Sequence, residues 1–161
     1  MRTGTRRHIA IEFPQLAASV EAVLLDQQAP ETCQLMWEAL PIEDTAYHCI
    51  RCGKEVFALI PPLRAVPPAE NRCMVPAPGA LWFIHFPADY PYNPPGFVGD
   101  PRGTFDFVVW YGSDSWAIDP AGQFVTGNHW AQIEHGLEAF ARACEQVWLS
   151  GTAPMRVRKA S

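Results

Sequence analysis

The sequence predicts a mainly β domain, closed into a barrel, with two α-helices packed at its ends. Three observations carry that prediction. Short runs of alternating, β-branched or aromatic residues recur along the chain. Two stretches instead place apolar residues at helical spacing. Proline and glycine, 16 and 11 of the 161 residues, punctuate the gaps between these runs.

The elements follow in order. "RHIAIEF" alternates as a strand, "PQL" turns the chain, and "AASVEAVLL" returns in the same style. In "DQQAPETCQLMWEALP", Asp26 or Gln28 lies near the helix cap, Pro30 suits the first turn and Pro41 stops the segment. Cys33, Met36, Trp37 and Leu40 then form a single apolar stripe, the pattern of core packing. "TAYHCIR" and "KEVFALI" are rich in β-formers, and Gly53-Lys54 between them reads as a two-residue type II′ turn.

"IPPLRAVPPAENRCMVPAPG" holds six prolines and is read as loop with room for a short edge strand. "ALWFIHF" and "TFDFVVWYG" are strands, dense in aromatic and β-branched residues. Between them, residues 87–104 form a Pro- and Gly-rich inserted loop, long enough to be either a structural insertion or a functional lid. "HWAQI" leads into a second helix, where Ile133, Leu137, Phe140, Cys144 and Val147 share a face and Gly151 ends the turn. The whole of 1–161 reads as one domain, with 1–7 and 152–161 as flexible, solvated basic tails.

Composition narrows the function. A net charge of −5 argues against nucleic acid or an anionic membrane surface as partner, because phosphate contacts need clustered Lys and Arg. No apolar run reaches the length of a membrane helix and no signal peptide is visible, so a cytoplasmic location is expected. Five cysteines, an odd number, fit reduced thiols better than a disulfide framework. No nucleophilic serine elbow, phosphate-cradling glycine loop or cofactor motif is present. Asp114 and Asp119 read as turn residues. Six tryptophans and nine phenylalanines exceed what a core of this size requires, so a homodimer is expected.

"HCIRCGKE" holds two cysteines three apart. A closed structural zinc site takes four ligands, and no second pair answers this one. On a strand, positions 49 and 52 face opposite sides and converge only where Cys52 belongs to the turn. No helix pattern follows to make a redox pair. An ordinary hairpin, with no metal, is the expectation.

Three stretches resemble a known family. "DQQAPETCQLMWEALP" is similar to the first helix of cyclophilins, "YHCIR" to their Phe-His-Arg-Ile-Ile strand, and "HWAQIEHGLEAF" to their late strand and helix, with Gly136 at the matching glycine. Residues 29–41, 76–79 and 127–128 also resemble a family of small bacterial proteins of unassigned function and cyclophilin-like fold. The resemblance implies a cyclophilin-like barrel. It also implies what is missing: Cys49 stands where the catalytic arginine of cyclophilins follows the histidine, "EVFALIPPLRA" has no Gln-Gly-Gly-Asp segment, and the late histidine position falls near Gly127. Prolyl isomerase activity is therefore not expected.

On this frame Arg51, two places after Cys49, shares its strand face and projects toward the same pocket to hold a carboxylate or amide oxygen. An ion pair of Arg51 with Glu55 or Glu43 is the competing reading. Tyr47, Trp110, Tyr111, Asn128 and Glu55 complete the expected ligand-binding set. His48, Cys49 and His129 are the catalytic candidates, His129 as a general base and Cys49 or Cys33 as nucleophile. His85 is read as barrel packing. Two functions remain: a module binding a small molecule or a short peptide segment, or an enzyme acting on a small amide, imide or cyclic carboxylate.

Overall fold

The structure, a computed structural model, describes residues 6–91, 100–119 and 121–161. Nine strands and two helices are present among them: β1 (His8–Phe13), β2 (Ala18–Leu24), α1 (Pro30–Ala39), β3 (Ile42–His48), β4 (Glu55–Ile60), β5 (Arg72–Cys73), β6 (Ala80–Phe86), β7 (Thr104–Trp110), β8 (Gly127–Gln132), α2 (Leu137–Ser150) and β9 (Thr152–Lys159). The strand order β2-β1-β9-β3-β4-β7-β6-β8 closes on itself through a β2–β8 pairing, with β5 appended to β8. Every pairing is antiparallel. The predicted closed barrel with two helices is the architecture found. No helix among the described residues is long and apolar enough to cross a membrane.

The alternating strand residues supply the interior. Ile9, Ile11 and Phe13 of β1 meet Val56 and Ala58 of β4, Phe107 of β7 and Trp130 of β8 in one apolar cluster. Both helices feed it, α1 through Cys33 and Met36, α2 through Phe140, Cys144 and Val147, as the stripes require. Phe13 and Phe140 stack at 5.2 Å, joining barrel wall to helix.

A second apolar cluster lies on the outside of the wall. Trp82 and Ile84 of β6 and Val108 and Trp110 of β7 point away from the interior and are buried with Cys52 and Ala117. β7 is thus buried along its whole length, which explains why "TFDFVVW" reads as a nearly continuous apolar run rather than an alternation.

Three expectations are corrected. Residues 152–159 are not a tail: β9 inserts between β1 and β3 and pairs with both, with Ala153, Met155 and Val157 inward. Its basic residues face out, and there Arg156 meets Glu43 at 2.8 Å and Arg158 meets Glu12 at 2.7 Å. At the other end, Arg6 pairs with Glu134 at 2.6 Å, and Arg7 is held by Asp26 and lies 5.1 Å from the Trp37 ring, so neither is a tail residue; the rest of that expected tail, residues 1–5, lies outside the described residues. The α1 N-terminus has no cap from Asp26 or Gln28. Glu70 reaches it from the proline-rich loop and accepts from the Glu31 and Thr32 backbone N–H groups at 3.1 and 2.8 Å. The inserted loop assigned to 87–104 falls largely outside the described residues, and its last residue, Thr104, already belongs to β7.

Candidate functional site

The β3–β4 connection is not the two-residue turn its sequence predicts. β3 ends at His48 and β4 begins at Glu55, leaving residues 49–54 as a folded loop. Cys49 N–H donates to Glu55 O at 3.0 Å and closes it. Lys54 N–H donates to Ser115 Oγ and Trp116 N–H to Cys52 O, both at 3.0 Å, tying the loop to the segment after β7. Gly53 adopts φ +87°, and a Cβ there would lie 2.7 Å from Asp114 O, so only glycine fits.

This fold-back brings Cys52 round to Cys49. The Cys49 and Cys52 sulfurs and a Glu55 carboxylate oxygen all lie within 4.8 Å of one another. The exception the sequence allows, Cys52 belonging to the turn, is the case found, since neither cysteine is on a strand. Glu55, on β4, is itself buried at 6% exposure, on the side of the wall that carries the outer cluster.

The three groups polarise one another. A hydrogen bond from Cys52 and backbone N–H groups of Arg51 and Cys52 pull the Cys49 thiol down to about 6, against its burial. The Cys52 thiol is raised by that same partnership and by burial. Burial, followed by the charges of Cys49 and Asp106, holds the Glu55 carboxyl well above the usual carboxylate range. These shifts favour negative charge on Cys49 over negative charge on Glu55.

Cys49 also lines an open cleft of about 420 Å³, together with His48, Arg51, Tyr111, Trp116 and Trp148. His48 is fully engaged: its Nδ1 meets the Cys49 carbonyl at 2.8 Å and its Nε2 meets the Tyr111 hydroxyl at 2.7 Å. Since a carbonyl only accepts, Nδ1 carries the proton and Nε2 accepts from Tyr111. Burial lowers the His48 pKa, which keeps the ring neutral. Trp148 meets the ring edge-on at 4.7 Å. Trp116 and Trp148 are 45% and 49% exposed, unusual for the largest apolar side chain.

The structure thus gathers His48, Cys49, Arg51 and Tyr111 at one cleft, with Glu55 behind it. Arg51 gets there as a loop residue, not by sharing a strand face with Cys49. Glu43, one of its two suggested ion-pair partners, is occupied by Arg156. Tyr47 stacks on Phe57 at 5.8 Å and is not among the cleft residues. Trp110 does not line a pocket mouth: it is fully buried in the outer cluster, edge-on to Trp82 at 5.3 Å. Asn128 is a buried strut, donating to Thr32 Oγ1 at 2.9 Å and Pro68 O at 2.7 Å. His129, on β8, pairs with Gln132 at 3.1 Å and is not among the cleft residues.

Cys33 is sealed in the core, its thiol donating to Trp130 O at 3.1 Å, and burial raises it to about 12. It is no nucleophile. His85 bonds the Arg102 carbonyl and packs on Phe105 at 5.3 Å, as the packing role requires. Trp116 and Trp148 were not expected at the site. Trp148, four residues after Cys144, flanks the apolar stripe of α2, so its position alone does not signal exposure.

Residues 11–158 match the family described as "Protein of unknown function (DUF3830)". The chain belongs to the DUF3830 family. No curated protein matches it. Among solved structures, the DUF3830 chain is similar to McbB, whose structure is described as a complex with tryptophan, at a TM-score of 0.65 and 17% identity. The similarity covers 95% of this chain and 45% of the McbB chain, so this chain spans less than half of that neighbour. It is also similar to the hypothetical protein AF2241 from Archaeoglobus fulgidus, at a TM-score of 0.53 and 21% identity over 99% of this chain and 98% of that one. At these identities the likeness is one of fold.

Proposed function

We propose that this DUF3830 protein is a small-molecule-binding barrel of cyclophilin type, without isomerase activity, whose ligand occupies the cleft beside Cys49. One observation carries the reading: Trp116 and Trp148 stand half exposed in the lining of a cleft of about 420 Å³. That volume lies within the range of small-ligand sites. Half-exposed indole rings keep apolar area in water that a stacked ring would cover.

Arg51 at the same cleft supplies a guanidinium fork for a carboxylate or amide oxygen. Glu145, which also lines the cleft, disfavours a second anionic group on the ligand. A compact ring with one carboxylate fits both. Tryptophan, the compound in the McbB complex, is a first probe on the strength of shared fold alone.

The test is calorimetric titration with a panel of aromatic and cyclic carboxylates, beside native mass spectrometry for a co-purified compound. One molecule per chain is expected, with affinity falling about tenfold or more in Trp148→Ala and Arg51→Ala, a loss of roughly 1.4 kcal/mol. Binding indifferent to both substitutions, or none across the panel, overturns the reading.

A second reading, an enzyme acting on a small amide, imide or cyclic carboxylate, is favoured by the Cys49 thiol, which lines the cleft and whose pKa is lowered by its neighbours. His48 is not its base, because both ring nitrogens are engaged. Glu55 is the group placed to carry a proton. Under this reading, alkylation at neutral pH labels Cys49 first and abolishes turnover.

A further inference from the structure

We propose that Cys49, Cys52 and Glu55 form a binding site for a thiophilic divalent metal, Zn²⁺ by chemistry, with its fourth coordination position open to the cleft. The proposal does not depend on which ligand, if any, the cleft holds.

Geometry is the first support. In a tetrahedral zinc site, metal–sulfur bonds of about 2.3 Å and metal–oxygen bonds of about 2.0–2.2 Å place the ligand atoms roughly 3.3–3.8 Å apart. The three ligand atoms here already lie within 4.8 Å of one another. The atoms must draw closer by on the order of 1 Å to reach that spacing. The backbone between them is held from outside the loop, by Ser115 at Lys54 N–H and by Trp116 N–H at Cys52 O.

The second support is the carboxyl. Glu55 is buried, and no Lys or Arg ion pair reaches it among the described residues. Its side-chain partners are the two thiols. A carboxylate taken out of water without a cation is costly, and a divalent ion bound between it and two thiolates removes that cost. On binding, the metal displaces to solvent whatever protons the two thiols and the carboxyl carry, and the loaded site, two thiolates and a carboxylate around a divalent ion, keeps one negative charge.

The donor set selects the metal. Two thiolates discriminate against Mg²⁺ and Ca²⁺, while the carboxylate oxygen disfavours Cu⁺, leaving the borderline-soft Zn²⁺. Three protein ligands leave a position free, as in catalytic rather than structural zinc sites. Since Cys49 lines the cleft and Cys52 is sealed at 3% exposure, that position faces the cleft, where a water or a ligand's donor atom completes the shell.

The experiment uses the full chain, reduced and stripped of metal with a chelator, then titrated with Co²⁺ and displaced by Zn²⁺. A thiolate-to-cobalt charge-transfer band and tetrahedral visible bands, saturating at one ion per chain, are expected. Cys49→Ser and Cys52→Ser should each lose most of the charge-transfer intensity. Glu55→Gln should keep that band but bind at least tenfold more weakly. Cys73→Ser, which alters a half-buried thiol outside the cluster, should leave the spectrum unchanged. Wild-type protein that binds neither ion at micromolar concentration overturns the proposal. So does a spectrum that survives unaltered in Cys52→Ser. Should a cysteine variant fail to fold, as circular dichroism reports, the wild-type stoichiometry and the near-isosteric Glu55→Gln still decide.

Discussion

The carboxylate of Glu70 caps helix α1 from 38 residues downstream, accepting the Thr32 backbone N–H at 2.8 Å and the Thr32 hydroxyl at 2.7 Å. No side chain within the helix's own approach does this, because Ala29 stands at the cap position. The contact fastens the proline-rich loop to the barrel, and Asn128 reinforces it by donating to the same Thr32 hydroxyl.

Glu70→Ala should therefore destabilise the fold by about 1–2 kcal/mol, the usual cost of losing an N-terminal cap. Thermal unfolding followed by circular dichroism measures it. Glu70→Gln keeps the acceptor but loses the charge that favours a helix N-terminus, so its loss should be smaller.

The last strand should be indispensable. β9 pairs with β1 on one side and β3 on the other, so ending the chain at Gly151 opens the barrel and unpairs two ladders. The truncated chain should fail to give a cooperative thermal transition. Met155→Ala, a milder change at a residue 2% exposed, should cost about 2–5 kcal/mol while the fold survives.

Gly53→Ala tests the loop that gathers the thiols. The positive φ and the close approach of Asp114 O make any side chain there strained, at a cost on the order of 1–3 kcal/mol. The interior core should remain intact in this variant, while Cys49 and Cys52 become more accessible to a thiol reagent.

Stability should fall on mild acidification, in part through His129. Burial depresses its folded pKa below the ordinary value, with Gln132 only partly opposing that. A histidine of this kind contributes fully above its unfolded pKa of about 6.5, and the contribution is lost as pH falls through the folded value. His129→Asn should make the melting temperature less sensitive to pH between about 7 and 5 than in the wild type.

Prolyl isomerisation of a model peptide should proceed at the uncatalysed rate. The position after His48 carries Cys49, and the histidine's ring nitrogens are spent on the Cys49 carbonyl and Tyr111. A clear acceleration contradicts both the assigned ring state and the proposed use of the cleft.

Local pattern was enough to locate the barrel's elements. Alternation marked β1 and β2, runs of β-branched and aromatic residues marked the later strands, and period-3.6 stripes through Met36 and Phe140 marked both helices, because such faces must be buried somewhere whatever the partner. The element that escaped was β9. Its alternation, Ala153, Met155, Val157, was present but masked by Arg156, Arg158 and Lys159, which read as a solvated end until Glu43 and Glu12 appear opposite them.

For the candidate site, His48, Cys49, Arg51 and Tyr111 meet at one cleft, but their relations did not follow from spacing. Sequence determined the two helices, every long strand but β9, and that the two cysteines sit near a reversal of the chain. Only tertiary structure decided that Cys52 folds back onto Cys49, that Glu55 is buried behind both, and that Trp148 arrives from α2 to wall the cleft. The physical reason is range. Periodicity reports burial one face at a time, whereas convergence here is imposed by hydrogen bonds to Ser115 Oγ and from Trp116 N–H, some sixty residues away along the chain.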